Sequence, residues 1–340
     1  METNKTANQS ELLLNRLTKR FKHLSKWAKR TGTNSFRLYD RDIPEIPLVL
    51  DLYGDAISGA VYKRPGYNRD EELSSQSAET WLTAMRETIA RALNIGEGSI
   101  FLKERRRFDQ RQKTGDQYSR LQTKNIYRDA IEGDLKFRVN VSDYLDTGLF
   151  LDAREKRTLI RSEANGKKVL NLFAYTCTLS VCAAKGGARQ VDSVDLSNTY
   201  LEWGKVNFAM NGLTDGLATN GLEKNSKFNF IISDVMQFMA QAEKKKLRWD
   251  LIILDPPSFS NSKKMRGNLD IKRDYRKLMD MSLSLLSPGG ILWFSSNAKG
   301  FGINSSDFPD YQIRDITNEL VDEDFKGKRI PANYKVRSEQ

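Results

Sequence analysis

Residues 248–260, which read R-W-D-L-I-I-L-D-P-P-S-F-S, combine a buried strand with groups that could bind a planar ring. The apolar run L-I-I-L is rich in β-branched residues and predicts a strand buried on both faces. Pro256 and Pro257 fix two φ angles and remove two backbone donors, so the strand ends there with its carbonyls facing a cleft. Asp255 adds a carboxylate and Phe259 an aromatic face, which together suit a flat ring that donates hydrogen bonds. A proline turn beside a core phenylalanine is the simpler alternative.

The flanking sequence predicts the sheet that must position these groups. Apolar runs and helical periodicity alternate along the chain, which is typical of a parallel sheet with helices on both faces. The predicted strands are 168–173, 190–194, 229–233, 250–254 and 291–295, and the predicted helices are 180–185, 197–210 and 271–286. The predicted fold class is therefore α/β.

Three aspartates, Asp195, Asp234 and Asp255, follow consecutive strands of this predicted sheet. Such sheets bind ligands beyond the carboxyl ends of their strands. Asp195 follows Asn171 by 24 positions (195 − 171), the interval of one βαβ unit, where a carboxylate commonly binds ribose hydroxyls. Each aspartate alone could be a helix cap, but three in consecutive units predict a nucleoside-binding crevice.

The loop after the first strand reads N-L-F-A-Y-T-C-T-L-S and contains no glycine. A dinucleotide fold needs G-x-G-x-x-G there to approach a pyrophosphate, so this cofactor class is disfavoured. The loop offers Asn171, Tyr175, Thr176 and Thr178, polar residues suited to the amino-acid end of an adenosine-containing cofactor. That description fits S-adenosylmethionine.

Longer stretches resemble the class I methyltransferases that modify bacterial large-subunit ribosomal RNA. They include T-G-L-F-L-D at 147–152, V-L-N-L-F-A-Y-T at 169–176, V-D-L-S-N-T-Y-L-E-W at 194–203 and D-P-P-S-F-S-N-S-K-K-M at 255–265. The likeness is strongest to the RlmK family of 23S rRNA guanine-N7 methyltransferases, related to the RlmI-type enzymes. In many bacteria this family forms the C-terminal half of a fused protein.

The resemblance implies a Rossmann-like class I methyltransferase sheet that binds S-adenosyl-L-methionine. It implies Asp195 on the ribose, Asp234 near the adenine, and a lid over the cofactor that contains Asp152 and Arg154. The residues that it places at the methionine part are Asn171, Phe173, Tyr175 and Thr176. The family usually has glycine where Cys177 stands, and a side chain there should narrow the approach to the methionine carboxylate.

The strand near residue 293 bears on which base is modified. Related cytosine-C5 enzymes carry a nucleophilic cysteine there, whereas this chain reads W-F-S-S-N-A-K. An exocyclic amine must lose a proton, but guanine N7 has a free lone pair, and the only histidine is His23 in the first helix. We therefore expect guanine-N7 methylation, with Asp255 accepting from the N1–H and N2 edge, Phe259 stacking and Asn297 orienting the base.

Two alternatives stay open. One is guanine-N2 methylation, which the other half of the fused protein performs on the same fold. The other is a non-catalytic RNA-binding ribosome assembly factor, which Cys177 in the cofactor loop favours. The D-P-P-S-F-S-N-S-K stretch favours N7, and the intact aspartate set favours catalysis.

The net charge of +11 indicates a polyanionic partner. The first helix is basic, and two further clusters are the predicted RNA-binding residues, namely Arg105, Arg106 and Arg107, and Lys263, Lys264 and Arg266. We expect 23S rRNA or a pre-50S particle as the partner. A separate guanine-N2 methyltransferase is a further candidate, no metal is expected, and the oligomeric state stays open.

Residues 1–9 lack an apolar run and are predicted to be a disordered tail. Residues 10–140 should form a small N-terminal α/β RNA-binding domain, and residues 141–340 the methyltransferase domain. The expected elements of the N-terminal domain are helices at 10–30 and 80–93, strands at 35–39 and 99–103, hairpins at 48–62 and 126–141, and an exposed loop at 115–124. The chain has no export signal, no apolar stretch of membrane-spanning length and two cysteines, so we expect a cytoplasmic protein.

Overall fold

The computed structural model describes residues 2–62, 75–105, 123–217, 226–260 and 268–338. The chain divides into two compact units, Met1–Leu151 and Asp152–Gln340. The first unit therefore extends past the boundary that we predicted at residue 140. The segment after that residue is tied back into the first unit, since Thr147 Oγ1 donates to the Tyr53 hydroxyl at 2.8 Å and Lys103 Nζ donates to the backbone oxygen of Tyr144 at 2.6 Å.

The described residues of the first unit form a four-stranded sheet, two α-helices and a separate hairpin. In chain order its elements are α1 (Glu2–Thr31), β1 (Ser35–Asp40), β2 (Leu48–Tyr53), β3 (Ala56–Tyr62), α2 (Ser75–Leu93), β4 (Ile100–Arg105), β5 (Tyr127–Glu132) and β6 (Leu135–Asn140). β2 is antiparallel to β1 and β3, whereas β3 and β4 are parallel because α2 connects them. Both predicted hairpins are present. The predicted loop at 115–124 lies largely outside the described residues.

The prediction of a disordered tail is wrong for residues 2–9, because α1 begins at Glu2. Gln9 is buried. Its Nε2 donates to the backbone oxygen of Glu45 at 3.0 Å, and its Oε1 accepts from Trp81 Nε1 at 2.8 Å. These partners are distant in the chain, so the local polar composition gave no sign of them.

The second unit contains a seven-stranded sheet. Its elements are α3 (Arg154–Glu163), β7 (Lys168–Leu172), α4 (Thr178–Lys185), β8 (Gln190–Asp195), α5 (Asn198–Met210), β9 (Phe228–Ile232), α6 (Val235–Lys244), β10 (Trp249–Leu254), β11 (Phe259–Ser260), β12 (Leu269–Asp270), α7 (Ile271–Leu283), β13 (Leu286–Ser296), β14 (Tyr311–Asp315) and β15 (Ala332–Ser338). One core cluster packs Phe238 of α6 and Leu278 of α7 against Leu170, Ile252 and Leu292 of the sheet.

The strand order is β14-β15-β13-β10-β7-β8-β9. The five strands from β13 to β9 are mutually parallel, which confirms the predicted parallel sheet, and β15 is antiparallel to both of its neighbours. β14 and β15 were not predicted. β14 reads Y-Q-I-R-D and is an edge strand with no fully buried residue, so only Tyr311 and Ile313 give it an apolar face, too short a pattern to predict a strand.

Candidate active site

Four parallel strands end side by side at one edge of the sheet. Leu254 of β10 pairs with Leu172 of β7 and with Phe294 of β13. Leu172 pairs in turn with Val194 of β8. The next residue of each strand therefore stands at the edge where the strand order reverses, which is where such sheets bind ligands. Those residues are Phe173, Asp195, Asp255 and Ser295.

Asp255 lies at the centre of this edge, and two buried donors hold it. Lys156 Nζ of α3 donates to Asp255 Oδ2 at 3.0 Å, and Ser295 Oγ donates to Asp255 Oδ1 at 2.5 Å. Lys156 Nζ also donates to Ser295 Oγ at 2.6 Å. Lys156 and Ser295 are buried, whereas the Asp255 side chain is 37% exposed. The carboxylate is thus fixed on one side and accessible on the other.

The proline turn after Asp255 presents an exposed aromatic ring. Pro256 is buried and Pro257 is half-buried. Phe259 begins β11, pairs with Asp270 of β12 and is 54% exposed. The alternative of a core phenylalanine is therefore wrong, and a ring face is available for stacking.

The loop between β7 and α4 contains three non-glycine residues in the left-handed conformation. The φ angle is +57° at Phe173, +50° at Tyr175 and +59° at Cys177. Each such residue costs about 1–2 kcal/mol, and strain of this kind concentrates at functional sites. The turns aim one backbone donor at Asp195, since the Tyr175 N–H donates to its Oδ2 at 2.9 Å.

Asp195 is a half-buried acceptor at the carboxyl end of β8. Its Oδ1 also accepts from the Ser197 N–H at 2.8 Å. Burial raises the pKa of Asp195 above its usual value, and the hydrogen bonds from Ser197 and Tyr175 oppose that shift. A carboxylate has about four lone-pair directions, so acceptor capacity is left for the vicinal hydroxyls of a ribose.

Asn171 and Thr176 support this loop from inside the unit. Asn171 is buried, and its Nδ2 donates to Ser180 Oγ at 2.8 Å. Thr176 is also buried, and its backbone oxygen accepts from Asn207 Nδ2 at 2.9 Å. The buried Asn171 Oδ1 has no hydrogen-bond partner among the described residues, so one unsatisfied acceptor lies at the start of this loop. A direct contact of either residue with the methionine part stays a prediction.

Cys177 does not face open space. It is fully buried, and a Cβ built on Gly204 of α5 would lie only 2.5 Å from its Sγ. The thiol therefore occupies the space that the glycine of α5 leaves. We expected this side chain to narrow the approach to the methionine carboxylate, but a side chain without exposed surface cannot line an open approach.

Asp234 lies at the end of β9 and caps α6. Its Oδ1 accepts from the Gln237 N–H at 3.0 Å, which leaves acceptor capacity on the other oxygen. The neighbouring Ile232 is 53% exposed. A carboxylate next to an exposed aliphatic side chain suits the amine and the flat face of an adenine.

Arg154 is engaged with two carboxylates near the C-terminus. Its Nη1 donates to Asp322 Oδ2 at 2.6 Å and to Asp324 Oδ1 at 3.1 Å. Arg154 and Asp324 are both buried, so this arginine anchors the start of α3 within the second unit. Asp152 lies just before it in a short 3-10 turn, Leu151–Ala153, and is half-buried. Their predicted function in a lid stays a prediction.

The remaining predicted residues are only partly described. Asn297 is exposed just after β13, and its backbone oxygen accepts from Arg329 Nη2 at 2.8 Å. Arg105 ends β4, but its side chain is outside the described part of the structure. Also outside are Arg106, Arg107, Lys263, Lys264 and Arg266. Within the described ranges, no cluster of His, Cys, Asp and Glu could hold a metal ion, and no helix is long and apolar enough to cross a membrane.

Sequence reasoning missed Lys156. It lies in R-E-K-R-T-L-I-R, a helix so rich in charge that one more lysine looks like part of a solvated face. Its burial depends on its docking beside Asp255, which the local sequence cannot reveal. Ser295 entered the sequence argument only as evidence against cytosine-C5 methylation, because the related C5 enzymes have their nucleophilic cysteine on this strand.

The strand order of the sheet is that of a class I methyltransferase, whose cofactor is S-adenosylmethionine. The family described as S-adenosylmethionine-dependent methyltransferase matches residues 67–321. The chain is 42% identical over 323 residues to ribosomal RNA large subunit methyltransferase K of Neisseria meningitidis, which covers 95% of this chain and 86% of that protein. The chain therefore belongs to the family of S-adenosylmethionine-dependent methyltransferases that includes ribosomal RNA large subunit methyltransferase K.

Further relatives agree with this family. The chain is 41% identical over 337 residues to ribosomal RNA large subunit methyltransferase K/L of Pseudomonas fluorescens. The match covers 99% of this chain but 42% of that protein. A crystal structure of a protein described as a methyltransferase, complexed with SAH, matches 96% of this chain and 81% of that chain with a TM-score of 0.69 and 22% identity. A methyltransferase from Agrobacterium tumefaciens matches 86% of this chain and 87% of that chain with a TM-score of 0.54 and 20% identity. The two structures support the fold alone.

Proposed function

We propose that this chain transfers a methyl group from S-adenosylmethionine to N7 of a guanine in 23S ribosomal RNA. The observation that carries the proposal is the Asp255 carboxylate, which is fixed on one side and accessible on the other. The names of the relatives from Neisseria meningitidis and Pseudomonas fluorescens support ribosomal RNA as the substrate class.

The cofactor, when bound, supplies a methyl group on a sulfonium. Asp195 accepts from its ribose hydroxyls, and Asp234 accepts from its adenine amine. On the substrate, Asp255 accepts from guanine N1–H and from the N2 amine, Phe259 stacks on the ring and Asn297 helps to orient it. N7 keeps a free lone pair, so no proton has to be removed and catalysis needs only orientation and the exclusion of water.

The cysteines and the histidine disfavour other chemistries. Attack on cytosine requires a thiolate, but Cys177 and Cys182 are the only cysteines of the chain and both are buried. Burial also raises the pKa of the Cys177 thiol. The single histidine, His23, lies in α1 of the first unit. Guanine-N2 methylation is the second candidate, because Asp255 could equally accept from an N2 amine that is itself methylated.

The first helix supports an RNA partner. Its buried stripe contains Leu13, Leu17 and Leu24, so the opposite face of α1 is exposed. Four lysines at helical spacing occupy that exposed face: Lys19, Lys22, Lys26 and Lys29. They span about 15 Å at 1.5 Å per residue, which suits contact with several backbone phosphates. We call these four residues the α1 basic stripe.

The test is to map modified nucleosides by mass spectrometry in 23S rRNA from cells with and without this gene. We expect one 7-methylguanosine to disappear and to return with the intact chain but not with Asp255→Ala. An unchanged nucleoside profile would refute this function. Replacing the mapped guanine by inosine in a transcript then separates the two acceptors, because inosine retains N7 and lacks the N2 amine. An N7 enzyme still methylates that transcript, whereas an N2 enzyme cannot.

A further inference from the structure

We propose that Lys156 and Ser295 are positioning residues that make Asp255 a fixed double acceptor and thereby select guanine. This inference rests on the function proposed above, because it concerns how the same carboxylate recognises the base. Neither residue contacts the methyl group in this scheme. They act through Asp255.

The three side chains form a closed ring of hydrogen bonds. Lys156 Nζ is 3.0 Å from Asp255 Oδ2 and 2.6 Å from Ser295 Oγ, and Ser295 Oγ is 2.5 Å from Asp255 Oδ1. They come from α3, β13 and the end of β10, so three separate elements fix one carboxylate. A lysine ammonium has three donors, and Lys156 uses two of them within this ring.

The directions of these hydrogen bonds follow from the chemistry of the groups. A lysine ammonium has donors only, so the Ser295 oxygen must accept from Lys156. The Ser295 hydroxyl hydrogen is then directed to Asp255 Oδ1. Both Asp255 oxygens accept, and the ring is satisfied when that carboxylate is ionised. Reversal of the Ser295 hydroxyl would leave its hydrogen pointing at the ammonium.

The remaining acceptor capacity of Asp255 matches one base edge. A carboxylate has about four lone-pair directions, and Lys156 and Ser295 each use one. The accessible side therefore offers one acceptor on each oxygen. Guanine presents two adjacent donors, N1–H and the N2 amine, whereas adenine presents an acceptor at N1. An acceptor facing the fixed carboxylate would remain unpaired, which is the strongest kind of rejection that a polar site can give.

The experiment measures kcat/KM on two transcripts of the mapped 23S rRNA segment, one with guanosine and one with inosine at the target. Inosine lacks only the N2 donor, so the wild-type enzyme should prefer guanosine by about tenfold or more. In Lys156→Met the carboxylate loses its charged anchor, and we expect the preference to fall to about twofold or less. Ser295→Ala should give an intermediate preference, and Ser295→Thr, which keeps the hydroxyl, should restore it.

The matched control is Lys335→Met, which removes a part-buried lysine paired with Glu163 in the same unit. Calorimetric binding of S-adenosylmethionine and the melting temperature report whether each variant is folded. The inference is supported if Lys335→Met keeps the wild-type preference for guanosine and Lys156→Met loses it while still binding the cofactor normally. If Lys156→Met slows both transcripts equally, the inference is overturned while the proposed function stands.

Two further outcomes are distinguishable. Wild-type enzyme that makes no 7-methylguanosine on the guanosine transcript refutes the proposed function, and the inference fails with it. If Lys156→Met no longer binds the cofactor, the preference of Ser295→Ala decides alone, and an unchanged preference in that variant overturns the inference.

Discussion

The packing of Cys177 against Gly204 predicts that these two positions are energetically coupled. An alanine at 204 would place its Cβ 2.5 Å from the Cys177 Sγ and 2.9 Å from the Cys177 Cβ, inside any normal contact distance. Overpacking of this kind costs about 1–3 kcal/mol. Position 204 lies inside α5, where alanine is favoured over glycine by about 1 kcal/mol. Gly204→Ala should therefore destabilise the wild-type chain by up to about 2 kcal/mol.

The same substitution should have the opposite sign once the sulfur is removed. In a Cys177→Gly background the Sγ and Cβ contacts are absent, and the next neighbour is the Phe230 ring at 3.5 Å. Only the helix preference then remains, so Gly204→Ala should stabilise by about 0.5–1 kcal/mol. The effect of Cys177→Gly alone cancels in the cycle, and the coupling energy should be about 1–3 kcal/mol.

The assay compares the four proteins by urea unfolding and by hydrogen exchange of peptides from α4 and α5, since these peptides report on the second unit alone. The affinity for S-adenosylmethionine, measured by calorimetry, should follow the same pattern: Gly204→Ala should weaken binding in the wild-type background but not in the Cys177→Gly background. The reason is that Cys177 ends the left-handed loop beside Asp195. The reasoning is refuted if Gly204→Ala has the same effect, within about 0.5 kcal/mol, in both backgrounds.

Three further predictions concern charge. The affinity for S-adenosylmethionine should fall as the pH drops through the raised pKa of Asp195, because protonation removes an acceptor from the ribose, and Asp195→Asn should bind more weakly without that pH dependence. Arg154→Met should destabilise the second unit by about 3 kcal/mol, because it removes a buried positive charge that pairs with the buried carboxylate of Asp324. Changing all four lysines of the α1 basic stripe to Gln should weaken RNA binding. It should also reduce the magnitude of the slope of log affinity against log salt concentration by about 3, if each lysine contacts one phosphate.

Each has a matched control and an opposing outcome. Isothermal titration over a pH series would contradict the first prediction if wild type and Asp195→Asn vary in parallel. For the second, Arg189→Met removes an exposed ion pair with Asp250 and should cost less than about 1 kcal/mol in the same urea assay. Equal losses in the two arginine variants would contradict it. For the third, filter binding should show little change when Lys244, Lys245 and Lys246, which are also exposed, become Gln. An equal change in this control would contradict the prediction, because the stripe would then contribute only through the net charge of the protein.

Local patterns were sufficient for most of the parallel sheet. β10 ends in the apolar run L-I-I-L, which is buried on both faces, so its sequence identifies it without any knowledge of its partners, and β7, β8 and β9 follow from the alternation of strands with helices. The N-terminal hairpins were also predictable, because glycine at 54 and 133 has positive φ in each turn. β14 and the first turns of α1 were not, since their order depends on contacts with distant segments.

The aspartates at the strand ends were predictable for the same reason. Parallel strands end at a common edge, so Asp195 and Asp255 had to lie near one another once the alternation of strands and helices was recognised. Arg154 shows the opposite case. Its function in a lid stays a prediction, and nothing in the local sequence indicates that its guanidinium donates to Asp322 and Asp324, which follow it by more than 160 residues.

The sequence alone determined the class of fold, the cofactor class and the placement of carboxylates at the strand ends, because apolar periodicity, strand-end residue types and the motifs that resemble known methyltransferases are local properties of the chain. The tertiary structure decided what surrounds each carboxylate. It brought Lys156 and Ser295 to Asp255, directed Cys177 inward against Gly204 and left Phe259 exposed. Hydrogen-bond direction and burial depend on neighbours from several elements, and those neighbours are fixed only when the sheet and its helices pack together.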